Sequence, residues 1–208
     1  MESKLRKKIS VIIPCYNASK TLRPCVLSVM NTNFSSLEIL LVDDLSTDST
    51  PQIISDLCGE FPKQVHSVKQ ITRGGPSKAR NAGPNKATGH YLFFLDSDTV
   101  MAADALDNFL LRINSVDAVV GIYEAEPLNP GIVSRYKAYL NHYFFSRSGV
   151  IPYEVFDSSR AGIKADIFHE LGGYNTSLKW GMDFENEELG YRVIKKYKMV
   201  LDPSIHVG

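Results

Sequence analysis

Tyr91-Leu92-Phe93-Phe94-Leu95-Asp96-Ser97-Asp98 is a run of five bulky apolar residues that ends in two carboxylates one residue apart. A short apolar run bounded by Gly89 and a polar turn reads as a strand buried on both faces, and residues two apart project from the same side of an extended chain. Asp96 and Asp98 therefore share one edge. Carboxylates so close repel each other unless a cation lies between them, so the pair suits a divalent metal able to hold a diphosphate. With 13 Asp in 208 residues, about one Asp-x-Asp is expected by chance, so the surrounding sequence has to carry the assignment.

Upstream of that strand, the chain alternates strand and helix signals at short intervals, the pattern of a mostly parallel sheet flanked by helices. Ile9 to Ile13 is β-branched and stops at Pro14. Leu22, Val26, Val29 and Met30 fall at helical spacing, with Pro24 loosening the first turns. Leu37 to Val42 is a second strand ending in Asp43-Asp44, and Ser49 with Gln52 has the form of a capping box for the next helix. Val65 to Ile71 reads as a weaker strand. Gly74-Gly75-Pro76 is a turn, after which Ser77 is placed to cap a helix running toward Ala87. Downstream, strands are expected at Ala118 to Tyr123, near Ala161 to Lys164 and at Met199 to Val207. Helices are expected at Ile132 to Phe145, Asp166 to Leu171 and Glu185 to Lys196, with a loop through Gly149 and Pro152.

Bulk properties narrow the function. A length of 208 residues, 44% apolar and 22% charged, fits one soluble domain, and 23 basic against 23 acidic residues leave no net charge to attract nucleic acid. No stretch approaches the roughly 20 apolar residues of a membrane span. The basic start, Met1 to Lys8, lacks a signal peptide's apolar middle and reads as a solvated arm, with contact to anionic lipid as the alternative. Cys15, Cys25 and Cys58 are odd in number and lack metal-ligand spacing, which favours free thiols and a cytoplasmic setting. The chain stops directly after a strand and reads as continuing past Gly208.

In open α/β sheets ligands bind beyond the carboxyl ends of the strands. Pro14-Cys15-Tyr16-Asn17, Asp43-Asp44 and Asp96-Ser97-Asp98 each follow a strand, so a parallel sheet brings all three to one crevice. There Asp44 can accept a hydrogen bond from a base or ribose and Tyr16 can cover a base ring. The plain alternative is that Asp43, Asp44 and Ser46 only shape a turn.

Those three segments, together with Ser77-Lys78-Ala79-Arg80-Asn81-Ala82-Gly83, Gly172-Gly173-Tyr174-Asn175 and Glu185-Asn186-Glu187-Glu188-Leu189-Gly190-Tyr191-Arg192, resemble the successive signatures of family 2 glycosyltransferases. The resemblance implies a GT-A fold with a Rossmann-like nucleotide-binding half, residues 1–125, and an acceptor-binding half, residues 126–208, within one domain. It also implies an inverting transfer from a nucleotide sugar, most often UDP-linked, assisted by Mg2+ or Mn2+. Carried over by position, Pro14, Tyr16, Asn17 and Asp44 line the nucleoside pocket, with Ser97, Lys78 and Arg80 joining the donor site. Asp96 meets ribose or metal, and Asp98 ligates the metal. The implied acceptor is a glycan or a lipid-linked saccharide, which allows peripheral association with the cytoplasmic face of a membrane.

Inverting transfer needs a base that takes the acceptor's proton. In the family this is the Asp of a Glu-Asp pair, and the corresponding residue here is Asn186, which accepts no proton at neutral pH. The expectation is that a neighbouring acid serves instead, Glu185 ahead of Asp183, with Glu187 a further candidate. Acids at a helix start are also explained by the helix dipole alone. His206 stands where the family often has a histidine near metal or diphosphate. Trp180, the only tryptophan, suits either an acceptor platform or the core. Asn186 also keeps open a module of this fold that holds a nucleotide sugar without transferring it. A dinucleotide-binding Gly-x-Gly-x-x-Gly is absent after the first strand, which excludes an NAD-dependent dehydrogenase.

Overall fold

The computed structural model describes residues 7–125, 131–178 and 184–208. In chain order the elements are β1 (Ile9–Cys15), α1 (Leu22–Met30), β2 (Leu37–Asp43), α2 (Thr50–Glu60), β3 (Val65–Lys69), α3 (Gly75–Ala82), β4 (Tyr91–Leu95), α4 (Ala105–Ile113), β5 (Ala118–Tyr123), α5 (Ile132–Phe145), β6 (Ile151–Pro152), β7 (Arg160–Lys164), α6 (Ala165–Glu170), α7 (Phe184–Ile194) and β8 (Met199–Val207). Among the described residues the eight strands form one sheet in the order β3-β2-β1-β4-β7-β5-β8-β6.

Alternation along the strands decides which helices cover which face. Ile9, Val11 and Ile13 of β1 and Tyr91, Phe93 and Leu95 of β4 point to one side, where Leu22, Cys25, Val26 and Val29 of α1, Leu57 of α2 and Phe109 of α4 meet them. Ile12, Leu92 and Phe94 point to the other side, against Ala79 of α3, Phe168 of α6 and Leu189 and Val193 of α7. Phe93 and Phe94 are fully buried on opposite faces, each contributing about 1.5–3 kcal/mol by burial. Edge-on ring contacts mark both sides, Phe93 with Phe109 at 5.3 Å and Phe94 with Tyr174 at 5.7 Å between centroids. The run that opens the sequence argument is thus a central strand with both faces covered.

β3, β2, β1 and β4 run parallel, as the sequence pattern requires. β7 runs antiparallel to both of its neighbours, β4 and β5, so strands consecutive in sequence are separated in space. Leu95 pairs with Arg160, which brings the entry of β7 beside the segment carrying Asp96 and Asp98.

Several local expectations are corrected. Ser49 is the N-cap residue of α2 but its hydroxyl makes no capping bond. The Thr50 amide instead donates to the Asp48 carboxylate at 2.9 Å, a charged and therefore stronger acceptor, while Gln52 bonds to Asp56. α3 begins at Gly75, not Ser77, and ends at Ala82. β3 stops at Lys69, leaving Ile71 exposed. α4 was not anticipated, although Leu106, Phe109 and Ile113 have helical spacing, and neither was the short edge strand β6. Among the described residues no helix is long and apolar enough to cross a membrane.

At the amino ends of β1 and β2, Glu38 is buried and accepts from Ser10 Oγ at 2.6 Å, the Thr88 amide at 2.7 Å and Lys8 Nζ at 2.7 Å. Burial by itself would raise its pKa, but these bonds outweigh it and bring the group from an ordinary 4.5 down to about 2. A carboxylate lowered by folding stabilises the fold in full above about pH 4.5, and that contribution is lost as the pH falls toward 2. Glu38→Gln is therefore expected to lower the melting temperature at pH 7 and to flatten its decline between pH 4.5 and pH 2; thermal unfolding across that range checks it.

Candidate active site

A cleft of about 700 Å³ opens beyond the carboxyl ends of β1, β2 and β4. Pro14, Tyr16 and Asn17 enter its wall from the β1 loop, Asp44 from the β2 loop, Asp96, Ser97 and Asp98 from the β4 loop, and Arg80 from α3. These are eight of the candidates named from the sequence, and the parallel pairing of the strands is what assembles them. Lys78 is not in the wall; it lies on the exposed side of α3. The wall also contains Ser19, Lys20 and Thr21 just before α1, with Asp48 and Arg73, none of which the sequence reading selected. Arg73 places its guanidinium 4.0 Å from the Tyr16 ring centroid, a stacking that follows no sequence spacing.

The loops are fixed to one another through the candidate residues. Asn17, at φ 50°, accepts from the Thr47 amide at 2.8 Å through Oδ1 and donates its own amide to Ser46 Oγ at 3.0 Å. Asn suits this left-handed conformation because its short side chain bonds locally. Leu45, between Asp44 and Ser46, is also left-handed, at φ 60°, a conformation uncommon for a branched side chain. Asp44 is buried and accepts from the amides of Gly74 and Gly75 at 2.9 and 2.8 Å, so one carboxylate from the β2 loop caps the amino end of α3.

Arg80 is buried between two acids. Its Nη2 donates to Asp96 Oδ1 at 2.8 Å and its Nη1 to Glu185 Oε1 at 2.6 Å. Ser77 Oγ donates to Glu185 Oε2 at 2.6 Å, so both oxygens of Glu185 are engaged and its side chain is 9% exposed. Burial opposes the charge of Arg80, but Asp96 and its other neighbours outweigh that and hold its pKa raised. Asp98 has no hydrogen-bonding or cationic side-chain partner among the described residues. Burial first, and then the charge of Asp96, push its pKa up. The two acids of Asp-Ser-Asp thus differ: Asp96 is held by a resident guanidinium, and Asp98 faces the cleft uncompensated.

That difference suits a divalent ion. A cleft-lining carboxylate without a cation, beside a second carboxylate oxygen, offers the hard oxygen donors that Mg2+ or Mn2+ takes. No group of three or more His, Cys, Asp or Glu side chains gathers as a ready-made metal site among the described residues. His206 is not in the cleft wall. Its Nδ1 lies 3.0 Å from Glu124 and its Nε2 contacts the Pro203 carbonyl.

Glu185 is not in the cleft wall either, and Asp183 and Trp180 lie outside the described residues. Asn186 is not in the wall: its backbone carbonyl accepts from the Phe156 amide at 3.1 Å and its Oδ1 from the Ser158 amide at 3.4 Å. A further cluster, missed in the sequence because it depends on the antiparallel β7, sits where that strand starts. Arg160 is buried, pairs with Asp157 at 2.6 Å, donates to the Gly121 carbonyl at 2.9 Å and stacks 4.1 Å from the Tyr123 ring centroid.

A family model described as glycosyl transferase family 2 matches residues 10–172, the span from β1 to the turn after α6. The chain belongs to that family. Among curated relatives of this family 2 chain, an uncharacterized glycosyltransferase of Haemophilus influenzae is 41% identical over 107 residues, 50% of this chain and 42% of the relative. A GalNAc(5)-diNAcBac-PP-undecaprenol beta-1,3-glucosyltransferase of Campylobacter jejuni is 31% identical over 107 residues, 51% of this chain and 35% of the relative. The aligned regions thus cover less than half the length of either relative.

Solved structures share the GT-A fold. Staphylococcus aureus TarS (residues 1–349), solved with UDP, superposes with a TM-score of 0.74 at 19% identity, covering 96% of this chain and 60% of that one. The mannosyltransferase PcManGT of Pyrobaculum calidifontis, solved with GDP-Man and Mn2+, gives 0.76 at 22% identity, covering 98% and 57%.

Removing one member of a buried ion pair leaves its partner uncompensated, at a cost of about 3–5 kcal/mol. Arg80→Ala is expected to lose that much stability, chiefly through Glu185, and Arg80→Ala/Glu185→Gln to recover part of it. Urea unfolding of the two variants checks both.

Proposed function

We propose that this family 2 domain transfers a sugar from a nucleotide-sugar donor, UDP-linked, to a glycan or lipid-linked saccharide, with inversion and with Mg2+ or Mn2+. The observation that carries the reading is the cleft: three strand ends converge on it, and Asp98 faces it without a cation. TarS and PcManGT, of like fold, were solved with UDP and with GDP-Man and Mn2+, and the Campylobacter relative is named for a lipid-linked saccharide.

In this reading Tyr16 covers the base, Asp44 uses its remaining acceptor capacity for base or ribose, and Asp98, with Asp96 beside it, holds the metal. A divalent cation bound there neutralises the charge that develops on the departing diphosphate. Arg80 keeps Asp96 in place while Glu185 anchors Arg80 from α7. The acceptor oxygen bonds to the anomeric carbon as the bond to the diphosphate breaks, and the acceptor's proton goes to an acid on the opposite face of the sugar. Since both oxygens of Glu185 already accept hydrogen bonds, we assign that proton to Asp183, which directly precedes α7 in sequence. The work is placed in the cytoplasm, at the face of a membrane when the acceptor is lipid-linked.

Asn186 and the occupied Glu185 favour a second reading, a binding module of the same fold without transfer. Calorimetry with a panel of nucleotide sugars, with and without Mn2+, followed by a transfer assay, separates the two. The expected result is metal-dependent binding of a UDP-sugar that Asp98→Ala abolishes while the melting temperature holds. Unchanged affinity removes Asp98 from the site, and donor binding with no turnover on any acceptor supports the second reading. Asp183→Asn is expected to lower kcat by about 10²–10⁴-fold with donor affinity unchanged; an unchanged kcat removes Asp183 as the base.

A further inference from the structure

α5 carries an apolar face that no described residue covers. Ile132, Val133, Tyr136, Tyr139, Tyr143 and Phe144 are between 43% and 88% exposed. Positions 132, 136, 139 and 143 step by four, three and four residues, which places them on one side of the helix. Its 14 residues make a stripe about 21 Å long. The opposite side holds the helix to the domain, through His142 Nδ1 at 3.0 Å from the Tyr123 carbonyl and Phe145 at 5.9 Å, centroid to centroid, from Tyr153. Tyr139 and Tyr143 stack along the stripe at 6.5 Å, and the Arg147 guanidinium lies 4.4 Å from the Tyr143 ring centroid.

Charge selects the occupant. Acidic and basic residues are equally numerous over the whole chain, 23 each, yet from Gly131 through Tyr153 there is no Asp or Glu, while Arg135, Lys137 and Arg147 are basic. A symmetric contact between two copies would set these cations against their own counterparts with no acid to answer them. A neutral saccharide gives no account of them. Tyrosine and phenylalanine rings flanked by Arg135 and Arg147 match the boundary of an anionic bilayer, where rings enter the headgroup level and cations meet lipid phosphate.

We propose that α5 docks this domain on an anionic membrane surface. The proposal deepens the functional reading and rests on it, since a lipid-linked acceptor is met at a bilayer. The face is separate from the donor cleft, so the two fail independently.

The test is co-sedimentation of the chain with phosphatidylcholine vesicles, with and without phosphatidylglycerol, at low and high salt. Three double variants are compared: Tyr136→Ser/Tyr139→Ser on the stripe and Arg135→Glu/Arg147→Glu on its basic flank, together the stripe variants, and Lys4→Glu/Arg6→Glu on the basic N-terminal segment. The expected result is binding that needs the anionic lipid, weakens with salt, and falls about tenfold or more in each stripe variant but not in the N-terminal one. The changed stripe positions are exposed, so melting temperature and UDP affinity should stay at the starting values.

Equal binding to neutral vesicles, stripe variants that bind like the starting protein, or loss only in the N-terminal variant would each overturn the proposal. So would a dimer in sedimentation velocity that the stripe substitutions dissolve, which would make a second copy the occupant. Vesicle binding lost with UDP binding intact counts against this proposal alone. Vesicle binding kept without any donor binding counts against the functional reading alone.

Discussion

One guanidinium between two carboxylates organises the site. Arg80 comes from α3, Asp96 from the end of β4 and Glu185 from α7, two of them 105 residues apart in sequence. Charges taken out of water are tolerated only with partners at close range, so α3 and α7 cannot part without leaving Arg80 or Glu185 as an unpaired buried charge. The pairing also breaks the symmetry of Asp-Ser-Asp. Asp96 is spoken for, and Asp98, close beside it, bears both the desolvation and the repulsion. In the proposed reading, a divalent cation would relieve that condition, which would tie donor binding to metal binding through one residue.

Backbone strain and capping serve the same placement. The Asp44 carboxylate, at the end of β2, binds the amides of Gly74 and Gly75, and the chain leaves it through a left-handed Leu45. Asp44 thus sets the helix that presents Arg80, and Arg80 sets Asp96. The three loops of the cleft are coupled in series through side chains that a list of ligand contacts would treat as independent. Strain of this kind persists only where the surrounding bonds over-determine it, as they do here.

The antiparallel β7 brings a second segment beside the end of β4. Because this strand enters where β4 leaves, Asp157 and Arg160 stand beside the Asp-Ser-Asp loop, and Asn186 is turned onto the same segment through Phe156 and Ser158. Asn186 thus ties α7 to the approach to β7. Elsewhere on the domain α5 keeps an aromatic, acid-free face whose residues take no part in the cleft wall.

The sequence by itself determined the parallel core and the residues at its strand ends. Continuous apolar runs mark β1, β2 and β4 as strands covered on both faces, and the residues at their carboxyl ends fall on the common edge, so Pro14, Tyr16, Asn17, Asp44, Asp96 and Asp98 were legible as a group. Local pattern was also enough to reveal α4, though that signal was overlooked. What only the tertiary structure decided was the pairing: that Arg80 meets Asp96 and Glu185, that Ser77 serves Glu185 in place of a helix cap, that Arg73 stacks on Tyr16, and that β7 runs antiparallel. These depend on distances between segments far apart in the chain. Hydrogen bonds and ion pairs act over a few ångströms in space, whereas residue spacing reports only neighbours along one strand or helix.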